Sequence, residues 1–167
     1  FESSKSEDYV SLAGYSDRMN DDQKEIFYFS GDNRQGLLKD PSLEYFLKKD
    51  IEVLLLTDPG DVFTVPYIGK YKDYELKSID KADIKSEDNS SEDKLSKDAS
   101  ESILKLFKEV LEDKVSDVKE SDRLVESPVT LVSGDEGMDI QMEKMMKVMD
   151  KNFAGAKKVL EINSGHG

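Results

Sequence analysis

The longest apolar run, Ile51-Glu52-Val53-Leu54-Leu55-Leu56-Thr57, is almost uninterrupted and stops at Asp58-Pro59-Gly60. A short run of this kind, bounded by turn residues, predicts a strand buried on both faces. A second strand is predicted at Ile26-Phe27-Tyr28-Phe29, ended by Ser30-Gly31-Asp32-Asn33. Asp32 or Asn33 is placed to cap a helix through Leu37 and Leu38, and Ser42 to cap another carrying Leu43, Phe46 and Leu47. Upstream, Leu12, Tyr15 and Met19 recur at helical spacing, and downstream Tyr74-Glu75-Leu76-Lys77-Ser78-Ile79 alternates like an exposed edge strand. Residues 1–80 are therefore expected to form a small three-layer α/β unit around a largely parallel sheet.

Between 81 and 98 the chain turns to Lys, Ser, Asp and Glu with almost nothing to bury, the composition of an acidic linker. Ile103, Leu104, Phe107, Val110 and Leu111 then follow the i, i+1, i+4, i+7, i+8 pattern of an amphipathic helix over about 98–113, with Asp98 or Ser100 near its start. Strands are predicted at Val115 to Lys119, Val129 to Val132 and Lys158 to Ile162, with a helix from Met138 to Met149 between the last two. Residues 99–167 thus read as a second, mixed α+β domain.

Composition narrows the chemistry. Lys+Arg 24 against Asp+Glu 37 gives a net charge of -13 over 167 residues, a field that repels nucleic acid and anionic lipid. No apolar run approaches the roughly 20 residues a spanning helix needs, so the expectation is a cytoplasmic chain without a membrane partner. Cys 0 removes disulfides, thiolate zinc sites and cysteine nucleophiles, and His 1 leaves little for histidine-based metal sites or triads. A chain opening at Phe1, with Glu2 to Asp8 forming no evident element, reads as a piece of a longer protein.

Candidate sites are few. Gly31 and Gly36 stand between a strand and a helix, but Leu37-Leu38 follows where a phosphate loop needs Lys and Ser/Thr. Asp58 and Asp61 flank a turn and cap, and the run Glu87 to Asp93 lacks the spacing of a calcium loop. His166, at the chain end, receives no role. The unusual feature is the series Met138, Met142, Met145, Met146 and Met149. At about 100° per residue these fall within an arc of about 100°, while Glu143, Lys144 and Lys147 point elsewhere. Such a stripe either packs on the domain's own sheet or forms a flexible apolar surface that adapts to many partners. Phe63 poses the same choice in Val62-Phe63-Thr64-Val65-Pro66-Tyr67-Ile68, where Pro66 is expected to bend or end a helix.

Several blocks carry a family resemblance. Tyr15-Ser16-Asp17-Arg18-Met19, Gln23 to Gly31 and Glu52 to Pro59 resemble the middle domain of the ninety-kilodalton heat-shock protein chaperones. Ser121-Asp122-Arg123-Leu124-Val125-Glu126-Ser127-Pro128, Gln141 to Met146 and Leu160-Glu161-Ile162-Asn163 resemble the start of that family's C-terminal domain, in its bacterial branch. Where the family continues Asn-Pro after the last strand, this chain reads Asn163-Ser164-Gly165-His166-Gly167.

The resemblance implies a homodimeric, ATP-dependent chaperone that binds and remodels partly folded client proteins. It also implies that the parts using ATP with magnesium, and the dimerisation helices, belong to regions outside 1–167. The chain itself is then expected to hold no cofactor or metal, to hydrolyse no ATP and to be monomeric. By the same resemblance, clients touch Phe63 on the first unit and Met138, Met142 and Met146 on the methionine helix, while Met145 and Met149 are free to anchor that helix. Two other readings stand beside it: a structural spacer between ATPase and dimerisation modules, and a small-molecule enzyme using the carboxyl ends of the first unit's strands. No catalytic base, metal set or phosphate loop in the sequence supports the enzyme.

Overall fold

The computed structural model describes residues 1–80, 96–134, 143, 145–146, 149–150, 153 and 155–166. In the first unit five strands, β1 (Glu2–Ser3), β2 (Glu25–Ser30), β3 (Val53–Leu56), β4 (Lys70–Tyr71) and β5 (Tyr74–Ser78), form one sheet in the order β1-β3-β2-β5-β4. Its centre is parallel, β2 lying between β3 and β5, and its two edges are antiparallel. Helices α1 (Leu12–Ser16), α2 (Arg34–Leu38), α3 (Glu44–Lys48) and α4 (Pro59–Ile68) supply the outer layers, with a 3-10 turn at Pro41–Leu43 leading into α3.

Both faces of β2 and β3 are covered. Phe27, Phe29, Val53 and Leu55 pack with Leu37, Leu43, Phe46 and Ile79 on one side. Ile26, Tyr28, Leu54 and Leu56 pack with Tyr15 and Val65 on the other. Alternate residues of one strand thus serve opposite cores, which is the three-layer α/β arrangement that the continuous apolar runs implied.

Local details differ from expectation for identifiable reasons. Glu2 to Asp8 is not inert: Glu2–Ser3 pairs with β3, Ser3 Oγ donates to Glu52, and Arg34 donates to the Ser3 and Ser6 carbonyls. Two strand residues are too few to register as a pattern. Asn33 caps α2 through the Gly36 N–H, whereas Asp40, not Ser42, caps the following turn. Tyr74–Ser78 is an inner strand, because the hairpin turn at Lys72, in the left-handed region at φ 53, adds β4 outside it. Pro66 does not end α4, which runs to Ile68 and stops at Gly69 with φ +63. Buried Val62 and Val65 hold that helix against the sheet despite the donor Pro66 lacks.

The second unit has α5 (Lys97–Leu111), capped by Ser96, and a sheet of β6 (Val115–Glu120), β7 (Val129–Val132) and β8 (Lys158–Ile162). Central β8 runs parallel to β6 and antiparallel to β7, the mixed α+β arrangement expected. Lys108 on α5 pairs with Asp117 on β6 at 2.7 Å.

Tyr15 ties the first unit's core to its polar seam. Its hydroxyl donates to the Glu52 carbonyl at 2.5 Å and accepts from the Gln23 amide at 2.9 Å and the Phe27 N–H at 3.2 Å. Burial is the main reason its pKa is pushed up to about 12. Replacing Tyr15 with Phe leaves the buried Phe27 N–H and Glu52 carbonyl without this partner. The expected loss is about 1–3 kcal/mol of stability, measured by urea unfolding.

Candidate functional site

Helix α4 carries the first candidate surface. Asp58 opens it by accepting from the Gly60 N–H at 2.7 Å, with Pro59 in the first turn. Because Val62 and Val65 turn inward, Phe63 is left half-buried at the rim, Tyr67 is 87% exposed and Ile68 39%. Phe63 and Tyr67, four residues apart, share a face. Asp61 stands in the same helix, its carboxyl pushed up by burial and by neighbouring Asp58. The sequence reading singled out Phe63 alone. The missed signal was that apolar residues run right round this helix, too many for the single strip that packs on the sheet.

The methionine series is the second. Met138 and Met142 lie outside the described residues; Glu143, Met145, Met146 and Met149 are helical. Glu143 is buried and meets Lys158 of β8 at 2.8 Å, and the same ammonium donates to Ser133 Oγ at 3.2 Å. Met145 and Met146 are each 37% exposed and Met149 78%. This corrects the expected division of labour. Met145 and Met149 do not anchor the helix in a core; among the described residues of this helix the buried one is Glu143, whose carboxylate the pattern placed on the outer side. An ion pair to β8 fixes the helix face here, and hydrophobic periodicity carries no information about such a pair.

Gly31 serves packing, not phosphate. A Cβ there would stand 2.4 Å from Leu37 Cδ2, and the Gly36 N–H is taken by the Asn33 cap. The run Glu87 to Asp93 lies outside the described residues. Among those described, no group of His, Cys, Asp and Glu is arranged to hold a metal, and no helix is long and apolar enough to cross a membrane. His166 lines a groove of about 230 Å³ between α5 and the second sheet, with Ile103, Leu104, Phe107, Val129 and Ile162.

Polar contacts join the two units. The Glu44 carboxylate, at the start of α3, accepts the N–H groups of Val125 at 2.8 Å, Glu126 at 2.9 Å and Ser127 at 3.2 Å, together with the Ser127 hydroxyl. Burial pushes this carboxyl up, but the Ser127 hydroxyl and the three N–H groups outweigh it and hold it below the ordinary range. Nearby, Arg123 donates to the Ile79 carbonyl and pairs with Glu161 at 3.0 Å, both side chains buried.

Phe63 thus stands on an α/β unit and Met146 on a mixed-sheet unit, each beside apolar groups left in water and linked by carboxylate contacts. Comparison with known proteins gives this arrangement its family. The family model described as Hsp90 protein matches residues 1–167. Chaperone protein HtpG of Chlorobium luteolum is 51% identical over 176 residues, covering 99% of this chain and 27% of its own. Chaperone protein HtpG of Treponema denticola is 38% identical over 167 residues, covering 97% and 26%. A solved middle domain of a putative heat shock protein of Plasmodium falciparum is 36% identical over 49% of this chain and 35% of its own, with a TM-score of 0.46. The chain belongs to the Hsp90 family. It spans about a quarter of the length of the HtpG chaperones it matches.

Two predictions follow from these contacts. Replacing Glu143 with Ala strands the Lys158 ammonium, and stability should fall by about 2 kcal/mol in urea unfolding; the double variant Glu143→Leu, Lys158→Met should recover most of it. Because the Glu44 pKa is lower folded than unfolded, its contribution is full above the unfolded value and lost as pH falls through the folded one. The difference in Tm between the natural chain and Glu44→Gln should therefore shrink on acidification through the carboxylate range.

Proposed function

We propose that this chain is the client-contacting and coupling part of an ATP-dependent chaperone. In this reading residues 1–80 are the C-terminal α/β part of a middle domain, 81–98 an acidic linker and 99–167 the beginning of a C-terminal domain. Partly folded proteins are held by Phe63 and Tyr67 on α4 and by the methionine helix, where Met138 and Met142 share the arc of Met146. ATP with magnesium is used by, and the homodimer formed through, other parts of the longer protein. The chain alone then has no ATPase activity, is monomeric, and works in the cytoplasm.

The observation that carries the reading is the exposure of Met145, Met146 and Met149 on a helix that buries the Glu143 carboxylate against Lys158. Unbranched thioethers left in water re-pack against varied apolar shapes, which suits recognition without a fixed client sequence. Covering about 300 Å² of such surface yields on the order of 7 kcal/mol before association and ordering costs, leaving weak, releasable binding. The surrounding negative charge favours clients with basic segments and weakens this preference as salt rises.

The test is a methyl NMR titration of methionine-labelled chain with an unfolded client. Met138, Met142 and Met146 should shift while Met19, packed against the Tyr15 core, stays. Phe63→Ser and the double variant Met142→Ser, Met146→Ser should each weaken binding roughly tenfold, or about 1.4 kcal/mol. Unchanged shifts and affinity would leave the chain as a spacer between ATPase and dimerisation modules.

A further inference from the structure

We propose that the turn at 125–127 is a carboxylate receptor built into the second unit, and that Glu44 seated in it is a releasable clasp setting the angle between the two units. The turn has the form of an anion-binding nest. Three successive N–H groups converge on one oxygen of Glu44 while the Ser127 hydroxyl takes the other. Its carbonyls are held from behind, since the Asn163 amide donates to the Ser127 carbonyl at 3.1 Å and to the Val125 carbonyl at 3.4 Å, and the Asn163 N–H to Pro128 at 2.8 Å. Pro128 also restricts the backbone of Ser127 before it. The donors are therefore pre-arranged by β8 and its exit, and belong to the second unit whether or not Glu44 occupies them.

The second contact between the units differs in kind. Arg123, 4% exposed, reaches the Ile79 carbonyl while held by Glu161, 2% exposed, which Ser121 Oγ and Lys119 also engage at 2.9 Å and 3.3 Å. Parting the units here takes the Ile79 carbonyl, on a fully buried residue, away from a buried guanidinium donor and leaves both short of a partner, so this point stays closed and acts as a pivot. Glu44 is only half-buried, and Val125 and Glu126 beside it are exposed, so water replaces the lost partners when the clasp opens. β7 also packs against the turn at Pro41–Leu43; with the clasp shut these points together fix an orientation, and with it open the units rock about those that remain. The clasp joins residues 81 to 83 positions apart, so it reports on the arrangement of the units and not on either fold.

With Cys 0 in the chain, spin labels attach only at introduced cysteines. Gln35→Cys on α2 and Ser116→Cys on β6, both exposed, place one label on each unit. Electron–electron double resonance should give one narrow distance distribution for the otherwise natural chain. Glu44→Ala should broaden it, at a temperature where circular dichroism shows both sheets intact, and Ser127→Ala should broaden it less. Should Glu44→Ala not fold, the Ser127→Ala comparison decides alone. Distributions as narrow as the parent's in the folded variants would overturn the proposal.

Discussion

Two strands that must be buried on both faces set the terms for the first unit. Every residue of β3 and Ile26 to Phe29 of β2 lie in one of two cores, so helices are needed above and below the sheet. Short segments provide them, and a five-residue helix covers little area. Only α4 is long, and its inner strip of Val62 and Val65 completes one core. What remains on its outside, Phe63, Tyr67 and Ile68, follows from how little of a ten-residue helix a sheet can cover. The candidate surface is thus a consequence of the core, placed at its rim.

A second constraint comes from charge. A chain at -13 has carboxylates to spare, and four that it takes wholly or partly out of water, Glu52, Glu161, Glu143 and Glu44, are matched. Glu52 takes Arg18 and Ser3, and Glu161 takes Arg123, Lys119 and Ser121. Glu143 takes Lys158, and Glu44 takes a row of backbone N–H groups. Each lies where elements distant in sequence meet: the first strand against β3, the turn after β6 against β8, the methionine helix against β8, and one unit against the other. Apolar burial forms the layers, and these carboxylates position them. Directional bonds suit that role, because apolar contact alone tolerates sliding.

Much of the fold was legible. The runs at 26–29 and 51–57, the helix pattern at Ile103 to Leu111 and the strands at 115–119, 129–132 and 158–162 all correspond to elements, because side-chain periodicity records which residues must leave water. Phe63 was legible as an apolar residue in an odd place, and the methionine series as a stripe. Less legible were β1 and β4, two residues each, whose pairing is decided by partners some 50 positions away or by a turn in the left-handed region.

The sequence by itself determined the two units, their strand and helix content and the family, since these depend on local periodicity and on blocks of residues in order. Tertiary structure alone decided which side of a helix faces outward and how the units meet. Glu143 reads as solvent-facing until Lys158 is brought to it, and Glu44 reads as an ordinary first-turn acid until the 125–127 turn presents its N–H groups. The physical reason is common to both. An ion pair or a nest is a coincidence of distant groups in space, worth little until both are desolvated together, and one-dimensional periodicity carries no trace of it.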